Sequence, residues 1–146
     1  MYADDAPVTV LSEDECWSLL SSMSLGRIVT IMGGKPEIFP VNFVTQRRTV
    51  LFRTAQGTKL YSAVMGGSVA FEADYHDPPL TYGWSVIIKG RAHVLSANAD
   101  ILDAEEAPLL PWTATLKPHY VRVIAMEITG RRFRFGPEPD RESTFA

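Results

Sequence analysis

The stretch Phe52-Arg53-Thr54-Ala55-Gln56-Gly57-Thr58-Lys59-Leu60 collects groups suited to holding an anion. Two cations and two hydroxyls fall where a β-like run gives way to a helix-like one whose first turn lacks carboxylates. Phosphate suits such a set. Arg53 and Lys59 neutralise a dianion, Thr54 and Thr58 donate hydrogen bonds, and free amides at a helix start add to the attraction. An ordinary helix start, capped by Thr58 and followed by a solvated Lys59, accounts for the same residues. The run Pro40-Val41-Asn42-Phe43 bears on the choice, because pairing of its strand with the strand ending at Arg53 sets its backbone beside the same place. Pro40 cannot donate to a ladder, so it marks a sheet edge, a bulge or a point where a ligand meets the backbone.

The remaining chemistry-bearing residues are less organised. His76, His93 and His119 are far apart and form neither His-x-His nor His-x-x-x-His, so no metal centre is expected. Cys16 is the single cysteine, which excludes an intramolecular disulfide and reads as a small buried hydrophobe on a helix. No serine or cysteine sits in a nucleophile motif and no carboxylate pair has an acid–base context, so no catalytic side chain is assigned. Arg131, Arg132 and Arg134 alternate with Phe133 and Phe135. They form either a solvated strand face or a contact for an anionic cofactor tail or substrate phosphate. A net charge of −3 gives no general reason to bind nucleic acid. No apolar run approaches the roughly 20 residues of a membrane-spanning helix. Met1–Asp5 lacks the basic start and apolar stretch of a secretory signal, so a cytoplasmic protein with no membrane partner is expected.

Positioning these residues requires a mainly β framework. Ser12-Glu13-Asp14-Glu15 reads as a capping box for a helix of about three turns, with Trp17, Leu19, Leu20 and Met23 on its apolar side. Ile28–Met32, the turn Gly33-Gly34-Lys35-Pro36 and Ile38–Val44 read as a hairpin, followed by a strand over Val50–Thr54. A short helix follows at Thr58–Met65, ended by Gly66-Gly67, then a strand over Val69–Asp74. A long strand runs from about Trp84 to Leu95, with a bulge expected at Gly90. Asn98–Leu110 reads as helical and stopped by Pro111-Trp112, and the last strand runs from Val121 towards Phe135. The 146 residues suit one domain, 1–146, with loose tails at 1–10 and 137–146. Six or so strands joined by short connections, with short helices between them, predict an α+β, barrel-like fold with mostly antiparallel strands.

The ordered series Leu25-Gly26-Arg27-Ile28, Pro40-Val41-Asn42-Phe43, Phe52 to Leu60, Val69-Ala70-Phe71-Glu72, Gly83-Trp84-Ser85-Val86 and Gly90-Arg91-Ala92 resembles the pyridoxamine-phosphate-oxidase-like flavin-binding split barrels. The resemblance covers about residues 12 to 135. It implies a six-stranded split β-barrel with short peripheral helices, working as a homodimer with FMN at the subunit interface. The phosphate would be held by Arg53, Thr54, Thr58 and Lys59. The isoalloxazine would lie along the backbone of Pro40, Val41 and Asn42, beside Phe43. Trp84 and Ser85 fall on the position that lines the partner's flavin, where Trp84 either flanks the ring or packs in the dimer core. The activity implied is an oxidoreductase moving electrons between a small-molecule donor and acceptor. Ile87 replaces a basic residue of the true oxidases, and Gly130–Gly136 lacks their substrate-phosphate signature, which argues against pyridoxamine phosphate as substrate. The chain looks more like the bacterial branch related to nitroimidazole-resistance-type proteins and deazaflavin-dependent reductases. F420 as the cofactor, and a non-catalytic flavin or haem carrier or sensor, are the alternatives.

Overall fold

The computed structural model describes residues 6–109 and 117–141. In chain order the elements are β1 (Val8–Val10), α1 (Glu13–Leu20), β2 (Leu25–Met32), β3 (Lys35–Asn42), β4 (Val44–Gln46), β5 (Thr49–Thr54), α2 (Lys59–Met65), β6 (Ser68–His76), β7 (Tyr82–Val94), α3 (Asn98–Glu105) and β8 (His119–Arg134). The strands join in the order β3-β2-β6-β7-β8-β5-β4, with β1 laid on β8. Every ladder among the described residues is antiparallel. The two ends of that path, β3 and β4, are separated in sequence by Phe43 alone. The sheet must therefore curl until its ends meet, which makes it a split barrel with three short helices around it.

Local chemistry explains where the elements start and stop. Ser12 Oγ accepts from the Glu15 amide at 3.2 Å while Glu15 Oε1 accepts from the Ser12 amide at 2.9 Å, so the capping box forms. The helix it starts spans eight residues rather than three full turns. Ser21 and Ser22 hydroxyls bond back to the carbonyls of Trp17 and Leu19, at 2.9 and 2.6 Å, and close it early. α3 likewise ends at Glu105 rather than near Leu110. The expected stop at Pro111-Trp112 lies outside the described residues.

Three expectations about strands need correction. Residues 8–10 are not part of a loose tail: Val8, Thr9 and Val10 pair with Phe133, Arg132 and Arg131. The strand count rises to eight because β1 and the three-residue β4 join the six principal strands. The strand holding Pro40 does not pair with β5; it pairs with β2, placing Pro40 opposite Arg27, and the ladder with β5 is made by β4. The bulge falls at Gly90, but the extra residue is on the partner strand: Lys89 faces Glu127 and Gly90 faces Ala125, leaving Met126 unpaired. A Cβ on Gly90 would lie 2.0 Å from the Ile124 carbonyl oxygen, so β8 reaches the bend only against a residue without a side chain.

The core fills the inside of the curl. Ile28, Phe71, Ile88 and Val86 from neighbouring strands meet Phe43, Phe52, Val50, Val121 and Val123, all fully buried. Phe43 and Phe71 pack edge to face with ring centroids 4.8 Å apart. α1 adds Cys16, Trp17 and Leu20 to the same cluster. It approaches β8 at Gly130, where a Cβ would fall 2.6 Å from Cys16 Sγ. The cysteine is thus a packing residue, and burial pushes its thiol pKa up.

Candidate functional site

The place where the barrel is split brings most of the expected residues together. Phe43 N–H donates to the Ser24 carbonyl at 2.9 Å, continuing the β2–β3 ladder. Backbone groups of an antiparallel strand alternate between its two edges, so Val41 and Phe43 address β2 while Pro40 and Asn42 address the opposite edge. That edge faces β5, whose ladder with β4 begins at the pair Val44–Leu51. Extending the register of that ladder would set Asn42 opposite Arg53 and Val41 opposite Thr54, and β3 does contact β5. No β3–β5 ladder forms. A slot results, lined by the amide of Asn42 and the carbonyls of Pro40 and Asn42. Proline occupies a position whose amide hydrogen would otherwise face the slot.

At the end of the slot, Thr54 is buried and its Oγ1 lies 3.2 Å from Thr58 Oγ1. Thr58 caps α2, accepting from the Tyr61 amide at 3.1 Å and donating to the Ala55 carbonyl at 2.7 Å. Because the Thr58 proton is committed to Ala55, Thr54 is the donor within the hydroxyl pair. The two cations are held differently. Arg53 leaves β5 on the face opposite Thr54. It lies over the Tyr120 ring at 5.0 Å, and its Nε donates to the Lys117 carbonyl at 2.9 Å. Its terminal nitrogens have no partner among the described residues. Lys59 reaches across to β3 and pairs with Glu37 at 2.8 Å.

The donor set fits a phosphate. Beside the Thr54–Thr58 pair it offers two hydroxyls and the Lys59 ammonium, with no carboxylate in the first turn of α2, while Arg53, expected to join them, leaves on the other face of β5. Binding would require Lys59 to exchange Glu37 for the phosphate and the threonine hydroxyls to rotate. Glu37 was not anticipated, since nothing in the sequence placed the start of β3 beside α2. Val41 and Phe43 bury their side chains in the core, so only their backbones border the slot. Trp84 is 4% exposed and sits in the core cluster, away from any outer surface of this chain. Ser85 faces outward, in one row with Asp74 on β6 and Arg131 on β8. It borders a small outer pocket of about 300 Å³ with Ile87, Thr129, Arg131 and Phe133.

A second polar group was also missed. Arg27 Nη1 lies 2.5 Å from Glu72 Oε1 and 3.7 Å from Asp74 Oδ2, on the outward face of β2 and β6. Partial burial and the neighbouring Asp74 carboxylate push Glu72 up to about 7, with Arg27 pulling the other way. Strand alternation alone could have put these side chains outward; only the register β2–β6 puts them together. Among the described residues no group of three or more His, Cys, Asp or Glu is placed to hold a metal ion. His119 packs instead against the Tyr61 ring at 5.3 Å. Among the described residues no helix is long and apolar enough to cross a membrane.

Comparison with known proteins is consistent with this geometry. A family model described as pyridoxamine 5'-phosphate oxidase matches residues 12–132. The uncharacterized protein Rv3129 of Mycobacterium tuberculosis H37Rv is 65% identical over 103 residues, 70% of this chain and 92% of that protein. Among solved structures, the FAD binding protein from Mycobacterium smegmatis is 58% identical, with a TM-score of 0.80, covering 88% of this chain and 100% of that one. A conserved protein of unknown function from Corynebacterium diphtheriae is 37% identical, with a TM-score of 0.74, covering 88% and 99%.

Proposed function

Because the chain belongs to the pyridoxamine 5'-phosphate oxidase family, we propose that it binds a flavin nucleotide in the slot between β3 and β5 and serves as an oxidoreductase between a small-molecule donor and acceptor. The observation that carries this reading is the unpaired edge of β3 at Pro40 and Asn42 running into the Thr54–Thr58 hydroxyl pair. One end offers amide and carbonyl groups to a polar ring edge; the other offers the Thr54 and Thr58 hydroxyls and the Lys59 ammonium to a phosphate. Such a flavin supplies hydride or electron transfer. The chain supplies position and charge balance.

FMN is the smallest nucleotide that satisfies both ends of the slot. FAD has the same ring and first phosphate, and the FAD binding protein from M. smegmatis, 58% identical, favours it. The flavin is read as lying between two copies of the chain, since Ser85 is on the outer face rather than in its own slot. Titrating the purified, flavin-free protein with FMN, FAD and F420, followed by flavin fluorescence, tests the reading. Tight binding of FMN or FAD, weakened by Thr54→Val, is expected. Binding of neither, or of F420 alone, overturns it. A steady-state assay with a reduced nicotinamide donor and a nitro or quinone acceptor then tests turnover; a flavin that binds but never turns over identifies a carrier.

A further inference from the structure

The phosphate end of the slot is short of positive charge. A flavin nucleotide brings about two negative charges to it, as a terminal phosphate or as a diphosphate. Arg53 points away on the other face of β5, over the Tyr120 ring. Lys59 is already matched by Glu37 at 2.8 Å, so the two together carry no surplus. The Thr54 and Thr58 hydroxyls offer hydrogen bonds and no charge.

The register between β5 and β8 brings one more group to this place. Thr54 stands opposite His119, and directly opposed residues project from the same face with Cβ atoms about 5 Å apart. The imidazole is thus carried to the side of the sheet on which Thr54 meets Thr58. A second contact holds it there from α2. The His119 and Tyr61 rings lie 5.3 Å apart, and the Tyr61 amide donates to Thr58 Oγ1 at 3.1 Å. The half-buried ring is therefore braced from both sides of the hydroxyl pair, and among the described residues neither of its nitrogens has a hydrogen-bond partner.

We propose that His119 is the second cation of the flavin phosphate site, taking a proton from solvent when the phosphate enters beside Thr54 and Thr58 and so tying flavin affinity to pH. The proposal rests on the reading that a flavin nucleotide occupies the slot. Imidazole suits the task because it changes charge between about pH 5 and 8, and an anion within hydrogen-bond reach favours its charged form. The described elements around it place no free carboxylate against the ring. β5 contributes Thr54, α2 contributes Tyr61 and Lys59, and β7 runs out beside it at Val94 and Leu95. Lys117 precedes it in the chain, and Tyr120 follows it on the other face of β8 with Arg53. The acid that reaches this end of the slot is Glu37 of β3, and Lys59 holds it.

Titration of the flavin-free full chain with FAD and with riboflavin, from pH 6 to 8.5, tests this. The diphosphate of FAD keeps its charge over that range, and riboflavin has no phosphate. The dissociation constant for FAD should rise about tenfold from pH 6 to pH 8, as one proton is given up. Riboflavin should bind more weakly than FAD at pH 6 and equally at every pH. His119→Gln should bind FAD at pH 6 as weakly as the wild type does at pH 8, with no pH dependence. His119→Arg, which keeps the charge, should hold the tighter affinity throughout. A wild-type FAD constant that does not change with pH, a slope that His119→Gln retains, or an equal slope for riboflavin overturns the role of His119 and leaves the flavin reading standing. Binding of neither FAD nor FMN at any pH overturns both.

Discussion

Lys59 shows how a single side chain can hold a site in reserve. In this structure its ammonium neutralises Glu37 across the mouth of the slot, at 2.8 Å. A phosphate entering the slot would compete with Glu37 for it. Lys59→Ala should therefore weaken flavin binding about tenfold, the loss of one charge-assisted contact. Glu37→Gln should strengthen binding by roughly two- to fivefold, because the lysine no longer leaves an ionic partner. Fluorescence titration of the two variants with FAD checks both signs. If Glu37→Gln weakens binding, Glu37 positions Lys59 rather than competing for it. The contact of Thr54 with Thr58 and the Thr58 cap were legible in the sequence because their spacing across a strand end and a helix start is local. Glu37 was not, since its partner lies 22 positions along the chain and meets it only after the sheet has curled. Trp84 illustrates the converse: the sequence left it between ring and core, and its place inside the barrel depends on which way Gly83 and Ser85 face on a strand read without its partners.

Helix and strand boundaries were legible wherever a backbone device is written in adjacent residues. Ser12 with Glu15 starts α1, Thr58 caps α2, and Gly90 marks the bend of β7. What could not be read was partner choice. Pro40 does lie at an unpaired sheet edge, but the strand of this segment that pairs with β5 turned out to be β4, at Thr49, Val50 and Leu51, because the chain changes partners at Phe43. The bend at Gly90 gives an element-scale prediction. Gly90→Ala must push a methyl into the Ile124 carbonyl, which is backbone and cannot rotate away. It should cost about 3 kcal/mol or more, read as a lowered urea midpoint. Gly34→Ala, in an open turn with no atom within 4 Å of the new carbon but with φ at +76°, should cost only about 1 kcal/mol.

Across the whole molecule, the pH dependence of stability is dominated by the carboxylates displaced furthest from their ordinary values. Glu72, raised to about 7 from 4.5, holds its proton more tightly folded than unfolded. Stability should therefore fall as pH rises from about 4.5 to 7, by up to about 3 kcal/mol. Asp103, lowered by Arg47, and Asp77, lowered by the Thr81 and Tyr82 donors that outweigh its own burial, act in the opposite sense and lose their contribution only as pH falls through the acid range. Urea unfolding at low protein concentration should show greater stability at pH 5 than at pH 8, and Glu72→Gln should flatten that slope. A last consequence follows from β8, which pairs with β1, β5 and β7 at once. Thr49 meets Ile124 and Tyr82 meets Arg134. During synthesis, β5 waits some ~70 residues for its neighbour, and the barrel closes only when the C-terminal strand has left the ribosome. Until then β7 presents an unpaired edge, so a chain stopped short of His119 is expected to be captured by chaperones or to aggregate rather than to form a smaller version of the fold.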